Sequence, residues 1–117
     1  MIFVFGSNLA GRHGAGAARW AYQVYSAEYG VGVGPTGMAY AIPTKDYNIL
    51  TMPLEDIKPY VDKFLAYAKE HPELEFKVTR IGCGLAGYTE ADICPMFEGA
   101  PSNCHLPGGW HGSTEEW

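Results

Sequence analysis

The chain has 117 residues, of which 47% are hydrophobic and 14% aromatic, enough to bury one core but too few for two, so a single domain spanning residues 1–117 is expected. Thirteen acidic against eight basic residues leave a formal charge of −5, which argues against a nucleic-acid backbone as partner. A small anion stays within reach, because backbone N–H groups can hold phosphates without a basic patch. The apolar start Met1 to Phe5 is broken by Gly6-Ser7-Asn8, far short of a signal-peptide core. No stretch approaches the ~20 apolar residues of a membrane span. Three cysteines, Cys83, Cys94 and Cys104, lack paired C-x-x-C spacing and suit a reducing compartment, so a cytoplasmic location is expected.

Ile2 to Phe5 form an apolar run of the kind that makes a buried parallel strand. Gly6 to Gly16 are a glycine-rich loop, and a helix follows with Ala17, Trp20, Ala21, Val24 and Tyr25 on one face. Gly30 to Gly37, with Pro35 among four glycines, read as a flexible connector. Met38 to Ile42 alternate into a strand that stops at Pro43, and Asn48 to Met52 form a further short strand. The second helix takes Asp56 as its cap, tolerates Pro59 in its first turn and buries Ile57, Val61, Phe64, Leu65 and Ala68, ending at His71-Pro72. Phe76, Val78 and Ile81 lie in a strand that runs into a second glycine loop, Gly82 to Tyr88. Thr89 and Asp92 have capping-box spacing for a third helix that Pro95 should shorten or kink. The tail from Pro101 holds one short extended piece.

Strands alternating with helices imply an α/β fold with helices on the faces of the sheet. In such sheets ligands sit outside the carboxyl ends of the strands, which is where both glycine loops fall. Gly6, Gly11, Gly14 and Gly16 lack Cβ atoms that would keep a phosphate from the backbone, and the first turn of the following helix offers free N–H groups. Gly82, Gly84 and Gly87, with Leu85 and Ala86, repeat the arrangement, so the two loops can clamp a diphosphate. Neither loop has the spacing of a nucleotide-triphosphatase or of a dinucleotide-binding dehydrogenase. Asn8 can face a ribose hydroxyl or satisfy the turn around it. Tyr88 and Trp110 can stack on a base or belong to the core. Lys45 and Asp46 are a ligand pair or a solvated turn. Cys83 reads as a small cysteine in a tight loop, and Cys94, Cys104, His105 and His111 match no common zinc spacing, so no metal is expected.

Phe5-Gly6-Ser7-Asn8 with Gly14-Ala15-Gly16-Ala17, then Ile42-Pro43-Thr44-Lys45, then Arg80-Ile81-Gly82-Cys83-Gly84-Leu85-Ala86-Gly87 resemble the macrodomain fold, in particular the terminal ADP-ribose protein glycohydrolases. The whole chain also resembles small phage-encoded macro-like proteins, and the motif likeness covers residues 1 to about 107. The resemblance implies a compact three-layer fold, a mixed sheet flanked by helices, and a site for ADP-ribose or a related nucleotide. Asn8 would face the distal ribose, and Gly14 to Ala17 with Gly84 to Tyr88 would wrap the diphosphate. Glycohydrolases of that branch carry an aspartate where this chain has Ala86, and an alanine moves no proton.

The favoured expectation is therefore a phage anti-defence protein that sequesters an ADP-ribose immune signal, linear or cyclic, without a cofactor. The alternative is a hydrolase of ADP-ribose linkages or of a nucleotide signal, using His13, Lys45 and Asp46. A third possibility is an interaction domain presenting Trp110 and Trp117, and so small a core is compatible with a homo-oligomer.

Overall fold

The computed structural model describes residues 1–110. In chain order it contains β1 (Ile2–Asn8), α1 (Gly16–Val24), β2 (Gly34–Thr36), β3 (Ala39–Lys45), α2 (Leu54–Glu70), β4 (Phe76–Val78), α3 (Glu90–Ile93), a 3-10 turn (Cys94–Phe97) and β5 (Cys104–His105). The five strands form one mixed sheet in the order β2-β3-β1-β4-β5. Only β2 runs antiparallel to its neighbour; β3, β1, β4 and β5 are mutually parallel. No helix among the described residues is long and apolar enough to cross a membrane.

Alternation along the two central strands divides the core. Phe3 and Phe5 of β1 and Ala39 and Ala41 of β3 pack with Ala18 and Ala21 of α1 on one face. Val4, Tyr40 and Ile42 point the other way, into a larger cluster with Ile57, Val61 and Phe64 of α2. The stripe expected for α2 is the one it buries, with Leu65 partly covered. Its start differs from expectation: Pro53 is the N-cap, so Asp56 lies inside the first turn and Pro59 in the second. Pro59 is exposed there, and the carbonyl its missing N–H leaves unpaired can turn to water.

Helix α1 departs further from its expected stripe. Trp20 and Val24 are about half exposed (51% and 49%), and the buried positions are Ala18 and Ala21. Phe3 and Phe5 already fill this side from the sheet, so the helix can approach only through alanines. The segment Gly30 to Gly37 is not a free connector, because its end supplies β2, paired to Ala39–Ala41. Strand β3 continues through Pro43 to Lys45; β2 has ended opposite Ala41, so no partner on that edge needs a proline N–H. Asn48 to Met52 form no strand: they are a turn closed by Asp46 N–H to Leu50 O at 2.8 Å, with a single bridge between Lys45 and Thr51.

Thr89 and Asp92 make the capping box the sequence spacing specifies, and Pro95 lies in the 3-10 turn that ends α3 after one turn. The tail is tied back by Asn103, whose buried Nδ2 reaches the carbonyls of Ala68, His71 and Leu74 at 3.0 Å each. Those carbonyls lie at and beyond the end of α2, where Ala68 O and His71 O also accept from the N–H groups of His71 and Leu74 at 3.2 and 3.0 Å, so the amide reinforces the turns that close the helix. One side chain therefore helps close α2 and places β5 beside β4.

Candidate functional site

The carboxyl ends of β1 and β3, and the chain leaving β4, open on one cleft of about 1060 Å³, the upper end of the range for small-molecule sites. The loop before α1 forms one wall and the loop Gly82 to Tyr88 another. Of the residues expected there from sequence, Gly6, Asn8, Gly14, Ala15, Gly16 and Lys45 line it on the first side. Gly84, Leu85, Ala86 and Tyr88 line it on the second. Gly87 does not: its φ of +88° and its N–H donation to Gly84 O at 3.0 Å make it a turn residue.

The glycines divide by what a side chain would meet. A Cβ on Gly11 would overlap the Gly30 carbonyl, and one on Gly32 the Asn8 carbonyl, so these two exist to let chain segments touch. Gly14 and Gly84 have φ outside the left-handed region, and a Cβ on either would meet no protein atom within 4 Å. Neither the backbone nor the packing requires glycine at these two cleft positions. Their missing side chains keep the cleft itself open.

The amino end of α1 faces this space. Ala15, the N-cap, supplies no side-chain acceptor, and no acidic residue occupies the first turn. The first helical bond is Arg19 N–H to Ala15 O at 3.2 Å, so the N–H groups of Gly16, Ala17 and Ala18, all cleft residues, are not used by the helix.

Charge sharpens the picture. Three of the eight basic residues, Arg12, Lys45 and Arg80, line the cleft, against one of the thirteen acidic ones, Glu90. The Arg80 guanidinium is paired to the Glu90 carboxylate. Arg12 and Lys45 make no ion pair among the described residues. A protein of net negative charge thus gathers positive charge at one concave place, which raises the local concentration of anions.

Three expected site residues do other work. His13 is 2% exposed and lies away from the cleft lining, its ring edge-on to Phe5 and Tyr29 and its Nε2 bonded to Glu28 O at 3.0 Å. Asp46 is spent on the following turn: its Oδ1 accepts from the N–H groups of Asn48 and Leu50 at 2.8 and 3.0 Å. That turn holds Ile49, a β-branched residue at φ +64°, against the cleft, a conformation such residues adopt only where the surroundings impose it. Trp110 is buried (1% exposed) against Phe97, its indole N–H donating to Glu90 Oε1 at 2.7 Å, so it neither stacks on a ligand nor offers a surface contact. Trp117 and His111 lie outside the described residues.

Asn8 takes the turn-closing role: Nδ2 donates to Arg12 O, and Oδ1 accepts from Arg12 N–H, both at 2.9 Å. This clasp fixes the loop that carries Gly14. Tyr88 donates its hydroxyl to Met52 O at 2.6 Å, and Thr51 donates to Ala86 O at 3.0 Å, pinning the second loop to the chain after β3. Cys83 is half-buried, and burial first, then the Glu90 carboxylate, pushes its thiol above the ordinary value, the wrong direction for a nucleophile. Among the described residues, no three His, Cys, Asp or Glu side chains converge as metal ligands. Sequence reasoning missed Arg12, Arg80 and Glu90 as cleft residues; Arg12 and Arg80 follow the carboxyl ends of β1 and β4, the one signal that could have marked them, whereas Glu90 opens α3 and carries no such signal. Comparison of the chain with protein-family models, with curated proteins and with solved structures gives no match.

Proposed function

We propose that the cleft binds an ADP-ribose-type nucleotide and that the protein acts by sequestering it unchanged. In a phage setting, which rests on the sequence resemblance alone, the ligand would be a linear or cyclic ADP-ribose immune signal made by the host. The observation that carries the reading is the convergence on one cleft of two unpaired cations, Arg12 and Lys45, with two glycines, Gly14 and Gly84, that the fold itself does not need. Unpaired cations and exposed first-turn N–H groups are what a diphosphate requires, and a cleft of about 1060 Å³ accommodates a ligand with a base and two sugars. The macrodomain likeness of the same loops supports the same ligand. Sequestration is favoured over turnover because His13 and Asp46 are engaged elsewhere and Ala86 stands at the position of the glycohydrolase aspartate.

The test is to incubate the protein with ADP-ribose and its cyclic isomers, remove free nucleotide, denature, and analyse what is released. Unchanged nucleotide near one per chain is the expected result. A chemically altered nucleotide would replace sequestration by catalysis, and the absence of any bound nucleotide would refute the ligand assignment.

A further inference from the structure

The one carboxylate lining the cleft has its two oxygens in different situations. Glu90 Oε1 accepts from the Arg80 guanidinium and from the buried Trp110 indole, whereas Oε2 has no hydrogen-bond partner among the described residues. Arg80 also reaches Gly108 O at 3.5 Å. The Glu90 side chain, half exposed, is thus held from two directions with one acceptor oxygen to offer. Topology separates it from Lys45: β1, which leads to Arg12, lies between β3, which ends in Lys45, and β4, which leads to Arg80. The cleft therefore has unpaired positive charge at β3 and β1 and a neutralised side at β4.

Resting on the nucleotide reading above, we infer that Glu90 is a specificity-determining residue. The ligand part that lies against it is a neutral hydrogen-bond donor, a sugar hydroxyl or a base amine, and nucleotides that end in a further phosphate are rejected there. A fixed carboxylate accepts from neutral donors and repels a second anion. Glu90 also quenches Arg80, which would otherwise attract that phosphate.

The experiment compares ADP-ribose with ATP, which carries a third phosphate in place of the distal ribose, by calorimetry on the wild type, Glu90→Gln and Trp110→Phe. The wild type is expected to prefer ADP-ribose. Glu90→Gln keeps an acceptor for the indole but releases Arg80, so the preference should shrink by about tenfold, mainly through tighter ATP binding. Trp110→Phe removes one of the two donors that hold Glu90 but keeps the carboxylate and its pair with Arg80, so the preference should fall by less than in Glu90→Gln. Substituting hypoxanthine for adenine in ADP-ribose separates the two donors, since a sugar contact survives that change and an amine contact does not. An unaltered preference in Glu90→Gln, with wild-type ADP-ribose binding intact, overturns this inference alone; an equal loss in Trp110→Phe does the same. A wild type that binds neither nucleotide refutes the functional reading and this inference with it.

Discussion

Four glycines of the cleft region should respond to the same substitution in opposite ways. At Gly32, a methyl group would overlap the Asn8 carbonyl oxygen, which also accepts from Gly11 N–H at 2.9 Å. Relieving that overlap means moving backbone and losing the hydrogen bond, a cost of about 3 kcal/mol from overpacking and the lost bond together. Gly11→Ala adds left-handed backbone at φ +72° to an overlap with Gly30 and should cost at least as much. Gly14→Ala and Gly84→Ala meet nothing and strain nothing, so stability should hold or rise by up to ~1 kcal/mol as the unfolded chain loses freedom. For a domain of this length each kcal/mol moves Tm by about 4 °C, so Gly32→Ala should melt about 12 °C lower and Gly84→Ala no lower than the wild type. With ADP-ribose at 100 times its Kd, the wild type should gain ~2.7 kcal/mol, or about 10 °C. Gly14→Ala and Gly84→Ala should lose most of that gain, because on the proposed reading the methyl stands where phosphate would meet backbone. Thermal melts of the four variants with and without nucleotide decide the matter. A Gly84→Ala protein that keeps the full ligand-induced shift would falsify the claim that this glycine holds space for the ligand.

Asn103→Ala should destabilise by about 2 kcal/mol, since it removes a buried amide shared by three carbonyls around the end of α2, although Ala68 O and His71 O keep the backbone N–H groups of His71 and Leu74; a urea midpoint unchanged from wild type would contradict the tethering role. Replacing Arg12 and Lys45 together by alanine should leave the melting temperature within about 2 °C, because neither makes an ion pair, while weakening nucleotide binding at least about tenfold and flattening its salt dependence. Persistence of the wild-type salt dependence would place the phosphate elsewhere. Burial pushes the Cys104 thiol up to about 12, with Glu75 adding to it, and burial followed by Tyr67 pushes the Tyr40 phenol to about 12. Both protons leave the unfolded chain first, so their stabilisation is whole below pH 9 and declines as the pH rises toward 12, at about 1 kcal/mol per pH unit for each group ionised only in the unfolded chain. Denaturant titrations at pH 8, 9.5 and 10.5 measure the slope, and a flat profile would contradict it.

The parts of this fold that could be read from sequence are those where one physical demand dominates a continuous stretch. Strands β1 and β3 are covered on both faces at the centre of the sheet, so each is an apolar run. Helix α2 is long enough for Ile57, Val61, Phe64 and Ala68 to declare its buried face. The register of α1 was not legible, because the sheet supplies the bulk through Phe3 and Phe5 and the helix contributes alanines, which carry little hydrophobic signal beside an exposed Trp20. β2 was hidden for another reason: three residues of edge strand are specified by β3 across the ladder, and nothing in Gly34-Pro35-Thr36 itself favours extension.

The same distinction runs through the site. Glycine loops announce themselves because they are local, yet their role is divided residue by residue by the surroundings: Gly32 and Gly14 look alike in sequence, and only the Asn8 carbonyl beside one and empty space beside the other separate chain packing from the open cleft. Polar residues near the loops were singled out by type, and tertiary orientation then sent His13 among aromatic rings and Asp46 into its own turn. Arg12, Lys45 and Arg80 lie far apart in the chain and share no spacing. What brings them together is the parallel topology, which delivers the carboxyl ends of β1, β3 and β4 to one place. Basic residues just beyond the carboxyl ends of neighbouring parallel strands are therefore a stronger sign of an anion site than any one glycine motif, because a turn can explain a glycine but not a convergence of charge in a chain whose net charge has the opposite sign.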